Sequence, residues 1–556
     1  VVLGFVCKRF LAGDGVHYEP RWFKAWPTGI QGVLEVDGRP YPIGDLYFEI
    51  GGVKIGFEIC EDAWVAQRPG SSMAGRGVDI ILNPSASHFA FGKLETRKRF
   101  VIEGSRAFGC AYVYANLLGN EAGRALYDGG ALIASGGRLL AAGPRFSFED
   151  CDLTVASVDV LKTRLSQART NSFRPNLSDD GPKVIDVSKS WRGGVEPTVE
   201  HAPLPAWESG PHIKEEECAR ALALALFDYA RKSRSKGFVV SLSGGADSAL
   251  CVVLIAVMAE LASNALGVEK ASKRFGLEGI TDRRQWMETM LTTAYQSTKN
   301  SGNVTRDAAR TVAKAVGSRH LELDVDGLVD GYIKRIEQAL ERNLTWATDD
   351  VPLQNVQARV RAPSVWMLAN LSGALLLATS NRSEAAVGYA TMDGDTAGGL
   401  APIAGIDKAF ILRFLRWMET SGPEGVGPMP ALSVITAQQP TAELRPPDQG
   451  QTDEKDLMPY VVLDAIERRA IRDKEMPIEV WEGLCAEMPS QTPAQLALWV
   501  ERFFRLWCRN QWKRERYAPS FHLDDENLDP KTWCRFPILS GGFERELAQL
   551  RQRVGS

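Results

Sequence analysis

Residues 241–248 read Ser-Leu-Ser-Gly-Gly-Ala-Asp-Ser, and this stretch decides the fold of the second half of the chain. A short apolar run precedes it and the apolar run 249–259 follows it, so the pattern predicts a buried strand, a tight turn and a helix. Glycines let the backbone approach an anion, and N–H groups at a helix start attract negative charge. The turn is therefore predicted to cradle a pyrophosphate, with hydroxyls from Ser243 and Ser248 and with Asp247 as a magnesium ligand.

The wider motif separates two kinds of phosphate chemistry. The turn lacks the Gly-x-x-x-x-Gly-Lys-Ser/Thr pattern of kinase-type loops, which argues against transfer of the terminal phosphoryl group. A bare Ser-Gly-Gly is as often an ordinary strand–helix joint, but the full string is more specific. It resembles the loop of the ATP pyrophosphatases, which split ATP between its first and second phosphates and adenylylate an oxygen of the substrate. Members of that family usually carry a second serine where this chain has Ala249.

Length and composition narrow the function classes. The 556 residues leave room for two to four domains, and 65 Lys and Arg against 69 Asp and Glu do not favour a nucleic acid partner. The longest apolar run, 249–259, is too short to span a bilayer. The nine cysteines form no Cys-x-x-Cys pair, and the six dispersed histidines indicate no structural zinc site. We therefore expect a soluble, cytoplasmic protein that acts on small molecules, with no nucleic acid and no membrane partner. A homo-oligomer is a further expectation, which composition does not decide.

The pattern of apolar runs divides the chain into three parts. Residues 1–172 show short β-type runs broken by Gly and Pro, and residues 173–208 are rich in Pro, Ser, Asp and Gly, which predicts a linker. Residues 209–556 alternate strands and helices, which predicts an α/β domain with a doubly wound parallel sheet. Ligands of such sheets bind at the carboxyl ends of the strands, where the turn at 241–248 lies. The predicted elements are strands 53–57, 78–83, 111–116, 131–134, 237–241, 288–293, 319–325 and 373–379, and helices 215–231, 249–266, 305–316, 326–342 and 355–371.

A second candidate site lies upstream. Residues 56–64, Gly-Phe-Glu-Ile-Cys-Glu-Asp-Ala-Trp, place Cys60 where an apolar strand gives way to an acidic turn. A lone cysteine in such a place is more often a buried structural residue. Here, however, residues 7–15, Cys-Lys-Arg-Phe-Leu-Ala-Gly-Asp-Gly, precede it and residues 83–88, Asn-Pro-Ser-Ala-Ser-His, follow it. In this order the three strings resemble the glutaminase domain of the nitrilase, or carbon–nitrogen hydrolase, superfamily. The resemblance implies a nitrilase-like α-β-β-α sandwich, present in part.

The same resemblance implies roles for five residues. Cys60 is the nucleophile that attacks the amide of glutamine, and Lys8 steadies the tetrahedral oxyanion. This chemistry is sound, because cationic neighbours favour a thiolate and a positioned ammonium offsets developing negative charge. Ser87, Lys93 and Tyr18 hold the glutamine substrate.

The general-base glutamate that the nitrilase resemblance implies has no counterpart in this sequence motif. In these enzymes a glutamate lies well upstream of the lysine, and only seven residues precede Lys8. Glu58 and Glu61 flank the nucleophile but do not occupy the position of the base. Val1 is not a start residue and no leader opens the chain, so two alternatives stay open. Either the chain is N-terminally truncated, or glutamine hydrolysis is lost.

Taken together, the two halves indicate one reaction. A nitrilase-like amidase releases ammonia, and an ATP pyrophosphatase makes an adenylate that ammonia can attack. This combination resembles the glutamine-dependent NAD synthetase family, whose synthetase domain is Rossmann-like and of the adenine nucleotide α-hydrolase type. It implies ATP-dependent amidation of deamido-NAD to NAD through an adenylated intermediate, with release of AMP and pyrophosphate. The strings that carry the resemblance lie at residues 355–361, 378–384, 394–403, 440–446 and 451–454.

The resemblance assigns residues to the substrates and to Mg²⁺. The expected ATP contacts are Ser243, Gly244, Gly245, Asp247, Ser248, Thr379, Lys408 and Thr441. The expected deamido-NAD contacts are Asn355, Arg359, Glu384 and Lys513. Asp247 and Glu384 together suit a hard, oxygen-seeking cation. Tyr295, expected just after the second strand of the sheet, either stacks on adenine or is a rim aromatic without a ligand.

Two rival interpretations remain at this point. Another glutamine-fed amidotransferase, such as GMP synthetase, shares the Ser-Gly-Gly-x-Asp-Ser loop, but the strings around Glu384 and Thr441 do not suit it. The other rival is an ammonia-only NAD synthetase or a nucleotide-binding subunit with a defunct glutaminase half. The missing base and Ala249 are the features that support it.

Overall fold

A computed structural model describes residues 2–121, 123–178, 183–187, 204–438, 444–445 and 453–555. The chain divides into two compact units. The first comprises Val1–Glu121 with Ala125–Gly210, and the second comprises Pro211–Ser556 with Ala122–Arg124.

The first unit is rich in β-structure. Its elements are β1 (Phe5–Val6), β2 (Gln31–Val36), β3 (Arg39–Gly44), β4 (Leu46–Ile50), β5 (Val53–Phe57), α1 (Pro69–Gly75), β6 (Ile80–Ser85), α2 (Lys93–Ala107), β7 (Ala111–Asn116), β8 (Leu118–Glu121), β9 (Ala125–Asp128), β10 (Leu132–Ser135), β11 (Arg138–Ala142), α3 (Val160–Arg169) and β12 (Lys183–Val187). The main sheet has seven strands in the order β11-β10-β7-β6-β5-β4-β12. Smaller sheets are formed by β1-β3-β2 and by β8-β9.

The centre of the main sheet is parallel and buried. Strands β5, β6 and β7 run parallel, and β10 joins β7 in antiparallel orientation. Ile81 of β6 and Val101 of α2 are fully buried in one apolar cluster. The predicted strands 53–57 and 111–116 coincide with β5 and β7, because alternating apolar runs flanked by Gly are reliable strand signals.

The predicted linker is wrong in one segment. Within residues 173–208, Lys183–Val187 forms β12, which pairs in parallel with β4 at the edge of the main sheet. An edge strand needs a partner on one side only, and this partner lies far away in sequence. The polar flanks therefore concealed a strand that only sheet pairing defines.

The second unit combines a small sheet with many helices. Its elements are α4 (Ile213–Ser233), β13 (Phe238–Ser241), α5 (Ala246–Leu266), α6 (Val268–Lys273), α7 (Arg283–Met290), β14 (Leu291–Ser297), α8 (Asn303–Val316), β15 (Arg319–Asp324), α9 (Asp326–Leu340), α10 (Asp350–Ser372), β16 (Leu375–Leu377), α11 (Arg382–Val387), α12 (Lys408–Thr420), α13 (Ser433–Thr436), α14 (Asp453–Asp456), α15 (Tyr460–Glu467), α16 (Pro477–Glu487), α17 (Pro493–Arg509), α18 (Gln511–Arg514) and α19 (Glu544–Gly555).

The sheet of this unit is parallel throughout, as predicted. Its order is β15-β14-β13-β16, and every neighbouring pair is parallel. The predicted strand 288–293 is displaced, because helix α7 reaches Met290 and β14 begins at Leu291. Asp282 caps α7 by accepting hydrogen bonds from the N–H groups of the second and third helical residues.

Helix α5 connects the site to the core of the second unit. By length and composition alone it is long and apolar enough to cross a membrane, yet 67% of its apolar window is buried within the protein. It packs against α4 and α8. A core helix meets the same criteria as a membrane span, so this burial accounts for its apolar sequence.

Candidate active sites

The turn at 241–248 connects the carboxyl end of β13 to the N-terminus of α5. Gly244 has φ +84°, and a Cβ atom there would lie 2.0 Å from the backbone oxygen of Thr305. Only glycine fits this position, since the conformation and the close approach both exclude a side chain. At Gly245, the N-cap of α5, the nearest atom to a built Cβ is Ser243 Oγ at 3.4 Å. The second glycine is therefore not required by the protein's own packing.

The two serines of the turn hold its shape. Ser248 Oγ accepts a hydrogen bond from Ser243 N at 3.2 Å and donates one to Gly245 O at 3.1 Å. The Ser243 and Ser248 hydroxyls lie 3.0 Å apart. Ser248 is buried, and Ala249 behind it is fully buried in α5. The turn is thus pre-organised by its own side chains, which is the arrangement an anion cradle requires.

A cavity of about 550 Å³ opens over this turn. Its size suits a nucleotide-sized ligand. The fold brings ten of the predicted residues to its walls, namely Ser243, Gly244, Gly245, Asp247, Ser248, Asn355, Thr379, Glu384, Lys408 and Lys513. Thr441 lies outside the described residues.

The centre of the cavity wall is an ionic cluster. The Lys408 ammonium contacts the Asp247 carboxylate and lies 3.6 Å from Glu384 Oε1. Lys408 itself is buried, at the first position of α12. Two carboxylates therefore converge on one buried positive charge, and this convergence is what a cation-dependent phosphate site needs.

Asn381 belongs to this cluster and was not predicted as a site residue. Its side-chain N–H donates to Asp247 Oδ1 at 3.0 Å, and its Oδ1 caps α11 by accepting from Glu384 N at 2.9 Å. One side chain thus binds the Asp247 carboxylate and fixes the backbone at Glu384. The available signal was its position in the string 378–384, as an Asn immediately before a helix.

Arginine placement differs from the prediction. Arg361 lines the cavity, whereas Arg359 is exposed, is not among the lining residues, and donates through Nε to Met392 O at 3.0 Å. Both lie on α10, where residues two apart point in nearly opposite directions. Helical phase therefore separates two arginines that a motif treats alike.

Lys513 and Asn355 line the cavity and are both bound by the segment 388–391. Lys513 Nζ donates to Gly388 O at 2.6 Å and to Ala390 O at 2.8 Å, and burial lowers the pKa of its ammonium. Asn355 Oδ1 accepts from the Thr391 hydroxyl at 2.8 Å. The segment 388–391 consequently holds both side chains at the cavity wall.

Tyr295 lies within β14 and not after the strand as predicted. Its side chain lines the cavity but is only 4% exposed, and its hydroxyl lies 3.1 Å from Thr305 Oγ1. Thr305 belongs to α8 and approaches Gly244. The tyrosine therefore contacts the residue that packs against the turn. Its stacking on adenine stays a prediction.

In the first unit, Cys60 begins a short 3₁₀ helix, Cys60–Ala63, just beyond β5. Its φ of +49° is unusual for a residue with a side chain. Such strain persists only where surrounding contacts enforce it, and it clusters at functional sites. The strained backbone just beyond β5 places the buried Cys60 at a sharp bend.

Asp62 connects this bend to the predicted lysine segment. Its buried carboxylate accepts from Arg9 N at 3.1 Å, Phe10 N at 2.9 Å and Ile59 N at 2.9 Å. Burial raises the pKa of Asp62, and the three backbone donors oppose that effect. Through these bonds the segment that follows Lys8 is held beside the segment that precedes Cys60.

Lys8 is paired with a carboxylate that was not predicted. Its Nζ lies 2.6 Å from Glu19 Oε2, and the same oxygen accepts from Ala12 N at 2.6 Å. Glu19 thereby fixes both the ammonium and the loop that carries it. The signal was its position directly after Tyr18, whose own side chain is half-exposed.

The predicted glutamine-binding serine is held by a buried arginine. Arg97 donates to Ser87 Oγ at 3.3 Å and to the backbone oxygens of Ser87 and His88 at 2.8 and 2.9 Å. It also pairs with Asp128 at 2.6 Å. Lys93, the other predicted contact, lies 5.4 Å above the Trp64 ring.

The two glutamates beside Cys60 have different environments. Glu58 is fully buried and is bound by Arg68, by Gly70 N and by the Tyr112 hydroxyl, so its role is structural. Glu61 is half-buried, and burial raises its pKa. Neither environment places a general base at Cys60.

Comparisons with known proteins follow this division into two units. Residues 218–515 match the sequence model of the NAD synthase family, and residues 10–168 match that of the carbon-nitrogen hydrolase family. A glutamine-dependent NAD(+) synthetase from Oryza sativa subsp. indica is 31% identical over 92% of this chain and 74% of its own length. The Homo sapiens glutamine-dependent NAD(+) synthetase is 31% identical over 96% of this chain and 80% of its own length.

A solved structure is similar over almost the whole chain. The glutamine-dependent NAD(+) synthetase from Cytophaga hutchinsonii shares 43% identity and a TM-score of 0.79, covering 99% of this chain and 82% of that one. A carbon–nitrogen hydrolase unit joined to a parallel-sheet unit with a phosphate-type turn defines a ligase that carries its own amidase-type domain. Both predicted fold classes are confirmed. The chain belongs to the glutamine-dependent NAD(+) synthetase family.

Proposed function

We propose that this chain catalyses the ATP-dependent amidation of deamido-NAD to NAD, with ammonia released from glutamine. The observation that carries the proposal is one cavity in which the Ser-Gly-Gly turn meets Asp247, Glu384 and Lys408. A turn that binds pyrophosphate and a wall that binds a second substrate are both needed for adenylate formation. The names of the relatives support the same reaction.

In the first step, an oxygen of the nicotinate carboxylate forms a bond to the α-phosphorus of ATP. The bond between that phosphorus and the bridging oxygen breaks, and pyrophosphate leaves with the electron pair. The N–H groups of the turn and the Lys408 ammonium offset the charge on the leaving group. Asn355 and Lys513 position the dinucleotide in this cavity, so the protein contributes mainly orientation and electrostatics.

In the second step, ammonia attacks the acyl carbon of the adenylate. A carbon–nitrogen bond forms, AMP leaves with the electron pair of the broken carbon–oxygen bond, and one proton is released from nitrogen. Arg361 on the cavity wall supplies positive charge near the departing phosphate. The products are NAD, AMP and pyrophosphate.

Mg²⁺ is proposed as the cation of this site. The donor set fits, because the Asp247 and Glu384 carboxylates already converge on the Lys408 ammonium. Asp247 and Glu384 would hold the ion, which would neutralise charge on the pyrophosphate. Asn381 binds the Asp247 carboxylate and caps the helix that carries Glu384.

Ammonia is proposed to come from glutamine at Cys60. The Cys60 sulfur bonds to the amide carbon and the carbon–nitrogen bond breaks, while the proton lost by the thiol passes to the departing nitrogen, so that ammonia leaves. Water then cleaves the thioester, which releases glutamate and restores the thiol. Lys8 offsets the oxyanion charge, and Glu19 keeps its ammonium in place. Ser87, Lys93 and Tyr18 are the proposed contacts for glutamine.

Two assays on one protein test this division of labour. NAD formation is measured from ATP and deamido-NAD, with glutamine or with an ammonium salt as the nitrogen source. We expect Cys60→Ala to lose the glutamine-fed reaction and keep the ammonia-fed one, and Asp247→Ala to lose both. Cys151→Ala, at an exposed cysteine, is the matched control and should change neither.

Each other outcome is informative. Equal loss of both reactions in a folded Cys60→Ala protein would contradict the proposed roles. Ammonia-fed activity without any glutamine-fed activity in the unmodified chain would favour an ammonia-only synthetase. Normal turnover of Asp247→Ala at saturating Mg²⁺ would exclude the metal assignment.

We also propose that the chain forms a homo-oligomer. Helix α9 carries an apolar stripe at four-residue spacing, formed by Leu328, Tyr332, Ile336 and Leu340, each about half exposed. Residues at this spacing share one face of a helix. A second copy of the chain is the proposed cover for this face.

A further inference from the structure

Three metal-binding side chains converge in the first unit, although they are separated in sequence. They are Asp14, His17 and His88, and their ligand atoms all lie within 4.8 Å of one another. Asp14 and His17 belong to the loop between Lys8 and Glu19, and His88 directly follows Ser87. The spacing of histidines and cysteines in the sequence gave no support for a structural zinc site, and it did not reveal this grouping.

The geometry resembles that of a metal site. Asp14 Oδ2 lies 3.1 Å from His17 Nδ1 and 3.6 Å from His88 Nδ1. Ligand bonds of about 2.1 Å in a tetrahedral zinc site place neighbouring donor atoms roughly 3.4 Å apart. Two of the three donor–donor distances therefore match already, and all three ligand atoms lie within 4.8 Å of one another.

The surroundings support a borderline cation. His17 Nε2 lies 3.2 Å from the Tyr127 hydroxyl, so a proton on Nε2 has an acceptor when Nδ1 is the ligand. Asp14 and Glu19 act electrostatically on Glu61, and Lys8, which is paired with Glu19, opposes them. Two imidazoles and one carboxylate favour zinc-like ions over magnesium.

One existing contact of His88 would have to break for an ion to bind. Lys93 Nζ lies 3.0 Å from His88 Nε2 and 3.4 Å from Nδ1. With Nδ1 on a metal, Nε2 carries a proton and can no longer accept from this ammonium. The ion must therefore displace Lys93 from His88. Lys93 is a proposed glutamine contact, so the ion and glutamine compete for the position of one side chain.

We propose that Asp14, His17 and His88 form a binding site for a zinc-like divalent cation, and that this ion opposes the use of glutamine by displacing Lys93. The second clause rests on the proposed function, whereas the first does not. An open fourth position would be occupied by water, as in zinc sites with three protein ligands.

Cobalt is the probe for the site itself. Titration of the full chain with Co²⁺ should give a saturable visible absorption of four-coordinate type, without a thiolate charge-transfer band. His17→Gln should weaken the apparent affinity by about tenfold or more, since even outer-shell changes cost about 10- to 100-fold. His212→Gln, at an exposed histidine of the second unit, is the matched control and should leave the titration unchanged.

Zinc then tests the antagonism. Zn²⁺ should inhibit the glutamine-fed reaction, raise the apparent KM for glutamine and spare the ammonia-fed reaction. In His17→Gln the half-inhibitory concentration should rise by about tenfold or more, with the uninhibited rate unchanged. Millimolar Mg²⁺ should not relieve the inhibition.

The outcomes separate this inference from the proposed function. Absence of a His17-dependent cobalt spectrum overturns the site. Zinc inhibition that His17→Gln does not change places the ion on the Cys60 thiolate and overturns the antagonism, as would stimulation by zinc. A His17-dependent spectrum in a chain without glutamine-fed activity supports the site while rejecting the proposed function.

Discussion

Gly244 and Gly245 are adjacent in the phosphate turn but are required for different reasons. Gly244 is enforced by its φ of +84° and by the 2.0 Å approach of the Thr305 oxygen. Gly245 has φ −93°, which any residue adopts, so only an approaching ligand requires it. The motif presents two glycines as one signal, and the structure separates their roles.

This contrast yields a paired prediction. Gly244→Ala should destabilise the second unit by more than the roughly 1–3 kcal/mol of one strained residue. The cost of the clash with the Thr305 backbone is added to the cost of the positive φ. Gly245→Ala should unfold at the same temperature as the unmodified chain. It should raise the KM for ATP, because its methyl group would meet the proposed phosphate. Thermal unfolding and ATP kinetics check both variants. Normal ATP kinetics in Gly245→Ala would show that no phosphate approaches that position.

Arg97 is a positioning residue for the predicted glutamine contact. Arg97→Lys replaces a planar five-donor fork by one three-donor ammonium, which cannot keep the four hydrogen bonds to Asp128, Ser87 Oγ and the two backbone oxygens. We expect a loss of about 1–3 kcal/mol in stability and a raised KM for glutamine, with ammonia-fed kinetics unchanged. Thermal unfolding and glutamine kinetics measure these effects.

The control for this variant is Arg99→Lys on the exposed face of the same helix, which should behave like the unmodified chain. An unchanged glutamine KM in folded Arg97→Lys would mean that the Ser87 segment holds its shape without the arginine.

At the scale of elements, one carboxyl group joins three helices beside the ATP site. Asp464 of α15 accepts from the Ser383 hydroxyl of α11 and from Ala409 N of α12. Helix α12 begins at Lys408, and α11 carries Glu384. The placement of two cavity residues therefore depends on this buried junction.

The junction predicts a pH dependence of stability. Burial raises the pKa of Asp464 to about 8, with the nearby Asp407 as a further cause. The pKa of an Asp in an unfolded chain is about 3.9. Between this pKa and the pKa of folded Asp464, the folded state holds a proton that the unfolded chain has lost. The stabilisation is full below about pH 4 and is lost as pH rises through the folded value.

Asp464→Asn should remove this decline, because an amide stays neutral and can accept from Ala409 N while donating to Ser383. The urea midpoint at several pH values measures it. Asp473→Asn, at a surface carboxylate, is the control and should retain the decline. Identical pH profiles for Asp464→Asn and the unmodified chain would contradict a proton on Asp464.

At the scale of the whole molecule, the proposed homo-oligomer predicts that a charge in the α9 stripe lowers the mass of the assembly. Ile336→Glu in the α9 stripe should shift the chain toward the monomer, since a charge buried between copies is costly. Sedimentation or light scattering measures the mass. Leu153→Glu, at an exposed leucine of the first unit, should not change it. A mass unaffected by Ile336→Glu would place any interface elsewhere.

The amino-acid sequence by itself determined the two fold classes, the phosphate turn and the strand end at Cys60. These features are local, because apolar periodicity, glycine and a flanking nucleophile lie within a few residues of one another. Even so, helix α7, which Asp282 caps, occupies residues where the sequence predicted a strand. Strand β12 lies within the predicted linker and is defined by its pairing with β4.

Tertiary structure alone decided which side chains meet. Asn381 and Lys408 reach Asp247 across 134 and 161 residues, and helical phase brings Arg361 and not Arg359 to the cavity. His17 and His88 meet for the same reason, although the sequence shows only dispersed histidines. A motif constrains neighbours along the chain, whereas charge pairs and ligand sets form only when separate elements pack together.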